Sequence, residues 1–186
     1  MININNQTIC KVFTKASQLW PEAPFFISPQ NLNRSKMEIS YREAYDLSSK
    51  YSEKLRQCGY GLNQRIAVLL GNSPQHYIVK LALNCIGVSC VPLNPDSSPS
   101  EIAYILKHST AVLVITEDKW SNLIKKSNAI SNLGLISVNV SEFFSTLPRS
   151  TSLPSNGKVT SSTESSLLYT SGTTGKPKGC ILSNEY

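Results

Sequence analysis

Arg65-Ile66-Ala67-Val68-Leu69-Leu70 is an apolar run behind one arginine, and Gly71-Asn72 and then Ser73-Pro74 follow it. No polar residue alternates within the run, so it reads as a strand buried on both faces rather than a half-exposed one. Ser73-Pro74 supplies an N-cap and a first helical position for a helix running to about Cys85. The same unit then repeats in kind. Val88-Ser89-Cys90-Val91-Pro92-Leu93 is a second strand, closed by Asn94-Pro95. Ser98-Pro99-Ser100-Glu101 is a capping box that opens a helix to about His108. Ala111-Val112-Leu113-Val114-Ile115-Thr116 is a third strand, residues 118–127 look helical, and residues 135–140 form a fourth strand. Strands of this kind alternating with helices predict an α/β fold with a mostly parallel sheet flanked by helices.

Upstream, Ile9, Val12, Phe13, Ala16 and Leu19 recur at helical spacing and stop before Pro21. Ser40-Tyr41-Arg42-Glu43 is another capping box; its helix carries Ala44, Leu47, Tyr51 and Leu55 on one face and ends near Gly59 and Gly61. Downstream, the character changes over residues 145–166, where 12 of 22 residues are Ser or Thr. That composition predicts a loop without a packing pattern. Ser166-Leu167-Leu168-Tyr169 is a short strand, and Cys180-Ile181-Leu182-Ser183 a further one.

The chain has 186 residues, 40% of them hydrophobic, and a net charge of +6. Its 18 Lys and Arg are scattered without a run of five, which argues against nucleic acid and for a solvated surface mildly biased toward anionic ligands. The Asn-rich start lacks the pattern of a signal peptide, and no apolar run is long enough to span a membrane. Five cysteines, Cys10, Cys58, Cys85, Cys90 and Cys180, form no CxxC pair, so reduced, mostly buried thiols in a cytoplasmic protein are expected. Neither His76 nor His108 has a ligand-like neighbour, so no metal site is expected.

Between the last two strands lies Tyr169-Thr170-Ser171-Gly172-Thr173-Thr174-Gly175-Lys176-Pro177-Lys178-Gly179. Glycines let backbone N–H groups approach an anion closely, the hydroxyls donate further hydrogen bonds, and the lysines add point charge. This composition points to phosphate. The loop is not the common mononucleotide-binding type, because Thr170 stands where its first Gly belongs and Pro177 where its magnesium-binding hydroxyl belongs. The spacing of Gly172 and Gly175 also fails the dinucleotide fingerprint.

The string resembles the phosphate-binding signature of the adenylate-forming superfamily, which contains acyl-CoA synthetases, adenylation domains of peptide synthetases and luciferases. Residues 169–179 match every specified position of that signature. The resemblance continues through Ser40-Tyr41-Arg42-Glu43, Asn63-Gln64-Arg65-Ile66-Ala67-Val68, Asn72-Ser73-Pro74, Gly87-Val88, Val91-Pro92-Leu93-Asn94-Pro95 and Glu101-Ile102-Ala103-Tyr104-Ile105-Leu106, which look like the family's first subdomain in order. Two departures stand out. Asn63-Gln64 replaces the usual Gly-Asp, on a turn away from the chemistry. Ser183-Asn184 replaces a Thr-His whose histidine lies near the acyl pocket in some members. Residues 180–186 look most like acyl-CoA ligases of the carnitine and crotonobetaine type.

The resemblance implies an N-terminal α/β subdomain over residues 1–144, a Ser/Thr/Pro-rich loop over 145–166, and over 167–186 a strand, the phosphate-binding loop and the start of the next strand. The rest of the large domain and a C-terminal domain are expected to be missing from the chain. The implied reaction is ATP-dependent activation of a small-molecule carboxylic acid as an acyl-adenylate, with pyrophosphate released and coenzyme A then forming the thioester. Thr170, Ser171, Gly172, Thr173, Thr174, Gly175, Lys176 and Lys178 would bind the β- and γ-phosphates of ATP. Lys176 falls at the variable position, and Lys178 would anchor the loop or assist with phosphate. The catalytic residues, the magnesium ligand and the acyl pocket would follow the loop, so none is assigned and the 186 residues alone are expected to be inactive. A non-catalytic nucleotide- or pyrophosphate-binding protein and part of a peptide-synthetase adenylation domain are the alternatives. Self-association as a homo-oligomer is left open.

Overall fold

The computed structural model describes residues 7–28, 37–170 and 176–185. Helix α1 (Ile9–Leu19) is capped by Thr8, whose hydroxyl accepts from the Lys11 N–H at 3.2 Å. Strands β1 (Pro24–Ser28) and β2 (Met37–Ser40) form a separate antiparallel pair. Helix α2 (Tyr41–Gln57) starts on the expected capping box, with the Ser40 and Glu43 side chains each bonding the other's backbone. Strand β3 (Arg65–Leu69), α3 (Pro74–Cys85), β4 (Ser89–Pro92), α4 (Pro99–Ser109) and β5 (Leu113–Thr116) follow. A 3-10 turn at Asp118–Trp120 leads into α5 (Ser121–Ser131), then β6 (Ser137–Asn139), a one-turn α6 (Phe143–Thr146), β7 (Glu164–Thr170) and β8 (Lys178–Ser183).

The main sheet has the order β6-β5-β3-β4-β7-β8, parallel throughout except for the antiparallel last pair. Its β3 strand explains the unbroken apolar run. Ile66, Val68 and Leu70 join the core beneath α1, α2 and α3, whereas Ala67 and Leu69 join the core beneath α4 and α5. A period of two with helices on both faces demands apolar residues at every position. The chain thus leaves β3 on one face and β4 on the other, so their carboxyl ends flank the crevice where open α/β sheets bind ligands. Gly87 closes α3 at φ +75°, and a Cβ there would stand 2.6 Å from Leu62 Cδ1. Only glycine meets both demands.

Two expectations need correction. The Ser/Thr-rich stretch is docked rather than free of packing. Gln64, only 6% exposed, donates from Nε2 to the Ser150 hydroxyl, the Ser152 carbonyl and the Ser152 hydroxyl at 2.8–3.0 Å, and its Oε1 accepts from the Gly61 N–H. Leu147 is buried against the α2 face of the core. The expected state of the cysteines also fails. Cys10 in α1 and Cys85 at the end of α3 form a disulfide across 4.9 Å between Cα atoms. Packing of the two helices brings together residues 75 apart in sequence, a proximity that no local pattern encodes. Of the free thiols, Cys90 is buried and pushed up to about 12 by desolvation, Cys58 is half-buried and Cys180 is exposed.

An ion pair ties β7 to β3 across the intervening β4. Arg65 donates from Nε and Nη2 to the two carboxylate oxygens of Glu164, each at 2.7 Å, and from Nη1 to the Ser109 carbonyl at 3.1 Å. The Ser89 hydroxyl stands beside this carboxylate without a well-aligned hydrogen bond. Burial pushes Glu164 up, but the hydrogen bonds and charge of Arg65 outweigh it and leave the carboxyl below its ordinary value, while Arg65 is raised by the same partner. A carboxylate with a lowered folded pKa stabilises above the unfolded pKa and loses that contribution as pH falls through the folded one. Glu164→Gln is therefore expected to cost about 2 kcal/mol at pH 7, with the difference from wild type shrinking below about pH 4. Urea unfolding at both pH values checks this; a constant difference would exclude the ion pair as its source.

Candidate active-site hairpin

Strand β7 runs parallel to β4, so it delivers its carboxyl end to the same edge of the sheet as β3 and β4. Strand β8 returns antiparallel, with Thr170 opposite Lys178 and Tyr169 opposite Gly179. The two strands are therefore the arms of a hairpin at the crevice edge, and the glycine-rich stretch is the sequence between them. Of the residues expected to grip phosphate, Ser171, Gly172, Thr173, Thr174 and Gly175 lie outside the described residues. Thr170, Lys176 and Lys178 are described and all three are exposed. Neither lysine has an ion-pair partner among the described residues. Two unneutralised cations and a hydroxyl at one tip make a polar, cation-bearing platform suited to an anion.

A cavity of about 290 Å³ lies beside the tip, between Thr170 and Pro177 on one side and Asn94, Glu101 and Ile105 on the other. Glu101 is not a free base here. Its carboxylate accepts from the Ser98 N–H at 2.8 Å and the Ser98 hydroxyl at 2.9 Å, and these bonds hold it below the ordinary carboxylate range. The Asn94 side-chain Oδ1 accepts from the Asp96 N–H at 3.0 Å. The described residues contain no group of three His, Cys, Asp or Glu able to hold a metal ion, and none of their helices is long and apolar enough to cross a membrane.

Two contacts escape sequence reasoning. The Tyr169 hydroxyl lies 2.7 Å from Nδ1 of His108, a residue weighed only as a metal ligand. The two are 61 positions apart, and no pattern in the chain joins them. Asn184, at the position of the family's histidine, is buried; its Oδ1 accepts from the Ile9 N–H at 3.0 Å and its Nδ2 donates to the Thr163 carbonyl at 2.9 Å. It thereby links the end of β8 to the start of α1. An apolar groove of about 380 Å³ opens next to it, walled by Val12, Phe13, Phe25 and Tyr41.

Comparison with known proteins agrees with this geometry. Tyrocidine synthase 2 of Brevibacillus parabrevis is 30% identical over 180 residues, covering 97% of this chain and 5% of that protein. Sulfoacetate–CoA ligase of Cupriavidus necator is 26% identical over 94% of this chain and 34% of its own length. The chain thus spans about a third or less of these curated relatives. The solved O-succinylbenzoate coenzyme A synthetase (MenE) from Bacillus subtilis, in complex with ATP and magnesium ion, superposes with a TM-score of 0.74 at 22% identity, over 96% of this chain and 44% of that one. The family profile described as AMP-binding enzyme matches residues 13–186, taking in the β-α-β core and the hairpin together. On that match, the chain belongs to the AMP-binding enzyme family.

Proposed function

We propose that this chain carries the polyphosphate-gripping hairpin of an ATP-dependent ligase that activates a carboxylic acid and passes it to coenzyme A. The observation that carries the reading is the hairpin tip itself, with exposed Lys176, Lys178 and Thr170 flanking a Ser/Thr/Gly stretch at the carboxyl edge of the sheet. In the activation step, a carboxylate oxygen bonds to the α-phosphorus of ATP as the bond to the bridging oxygen breaks. The electron pair leaves with pyrophosphate. Donors fixed around that departing charge lower the barrier because they need no reorganisation as it develops. The tip's hydroxyls, backbone N–H groups and lysines fill that role. A thiol then attacks the acyl carbon, and AMP departs.

Exposed Thr170, Lys176 and Lys178 suit the phosphates of a nucleotide, and the described residues contain no group of three His, Cys, Asp or Glu that could hold a metal ion. The likeness to a CoA ligase across 94% of the chain supports coenzyme A as acceptor. A carrier-protein thiol is the second reading, favoured by the 30% identity to tyrocidine synthase 2. ATP and coenzyme A are cytoplasmic metabolites, and that compartment is part of the proposal even though a disulfide such as Cys10–Cys85 is rare there.

The test is calorimetric titration of the purified chain with sodium pyrophosphate. Binding is expected, and Lys178→Ala is expected to weaken it about tenfold, the loss of one charge-assisted contact. A wild-type chain that binds no pyrophosphate, or a variant that binds equally well, would overturn the assignment of the tip.

A further inference from the structure

Strands β4 and β7 are registered at Cys90 opposite Ser166, and β4 ends at Pro92. Two residues past Cys90 bring that partner alongside Leu168. Tyr169 and Thr170 therefore extend beyond it, and their flank is the 290 Å³ cavity instead of a neighbouring backbone. Their remaining strand partner, β8, is itself an edge strand, exposed from Lys178 through Ile181. By backbone pairing alone, the stem of the tip is held on one side by a strand that pairs with no other.

Tyr169 supplies the missing side. Its ring packs beside Gly179, where an added Cβ would meet Leu167 Cδ1 at 3.1 Å and the ring's Cε1 and Cζ at 3.4 Å. Its hydroxyl reaches His108 Nδ1 at 2.7 Å, with the two rings edge to face at 5.7 Å. His108 is in turn stacked on Tyr104, one turn earlier in α4, at 5.4 Å. That helix is firmly seated, with a capping box at its start and Ile102, Ile105 and Leu106 buried in the core. Hydrogen bonds in a rigid network can set the geometry of a group they do not touch.

We infer that His108 is a positioning residue for the proposed phosphate site: it braces Tyr169 against α4 and so fixes where the adjoining Thr170 and its strand partner Lys178 stand. The inference rests on the proposed function, because it assigns the tip a ligand to be positioned for. His108 touches no substrate in this account and acts only through the Tyr169 hydroxyl.

The experiment is a double-mutant cycle in the 186-residue chain, with sodium pyrophosphate as probe and a thermal melt of every variant. His108→Ala and Tyr169→Phe are each expected to weaken pyrophosphate binding about fivefold to tenfold. The double variant is expected to be no weaker than either single, because both remove the same bond. His108→Asn, whose side-chain amide places a polar atom where Nδ1 stands, is expected to stay within about twofold of wild type. A merely structural role would lower the melting temperature and leave affinity unchanged, which would overturn the inference. So would losses that add in the double variant, or binding within twofold of wild type in both singles. If wild type itself binds no pyrophosphate, the functional reading fails, and amide exchange decides the brace separately. Faster exchange at Thr170 and Lys178 in His108→Ala would uphold it, and unchanged exchange would overturn it.

Discussion

Opening the Cys10–Cys85 disulfide is expected to lower the unfolding free energy by about 4 kcal/mol. The bond closes a sequence separation of 75 residues that includes most of α1, the β1–β2 pair, α2, β3 and α3. A cross-link over so long a segment removes much of the freedom of the unfolded chain, and the effect grows slowly with its length. The folded side is affected as well. Helix α1 buries Phe13 and Ala16, but its Leu19 and Trp20 end is exposed, and at its start the Ile9 N–H reaches only the Asn184 side chain outside the helix. Without the bond, α1 depends on one narrow apolar stripe. Urea unfolding of wild type with and without a dithiol reductant, beside a Cys10→Ala/Cys85→Ala double variant, measures the effect. Wild type in reductant and the double variant should coincide. A loss below about 1 kcal/mol in both would mean that the helices hold themselves.

Phe143→Ala should cost about as much, near 4 kcal/mol, by leaving a cavity in the core. Phe143 is fully buried; its ring lies 4.7 Å from that of Tyr51, which is itself buried and has its phenol pushed up by desolvation. It sits on the four-residue α6, a helix too short to form on its own propensity. Burial of Phe143, followed by Leu147, holds the turn against α2. Its neighbour Phe144 touches the same tyrosine at 4.8 Å yet remains 47% exposed, so Phe144→Ala should cost less than half as much. Equal losses at the two positions would contradict the placement of α6. The comparison uses one residue type at adjacent positions, so burial is the variable that differs.

What could be read from the chain beforehand follows from the range of the interactions. Both capping boxes were legible because Ser40 with Glu43, and Ser98 with Glu101, bond over three residues. The parallel strands were legible because burial on two faces leaves a run such as residues 65–70 without a polar gap. The β1–β2 pair was not foreseen, since its strands are short and Phe25 and Phe26 are only half-buried. The role of Gln64 was missed for a different reason. On the sequence it is a polar turn residue, and only the approach of Ser150 and Ser152, more than 80 residues later, makes it a buried hub. Cys10 with Cys85, and His108 with Tyr169, are of the same long-range kind. The candidate phosphate stretch stood out because such a loop would draw its donors from consecutive residues, and the sheet edge beside it follows from where β7 ends.

The central claim is that this tip, and no other part of the chain, grips the polyphosphate of a nucleotide. Backbone amide shifts recorded by NMR during titration with ATP, and separately with AMP, test it most directly. The account predicts that ATP moves the signals of residues 169–179, with smaller changes at His108, while AMP, which lacks the β- and γ-phosphates, leaves them in place. Shifts centred elsewhere on the molecule, or equal responses to ATP and AMP, would contradict it.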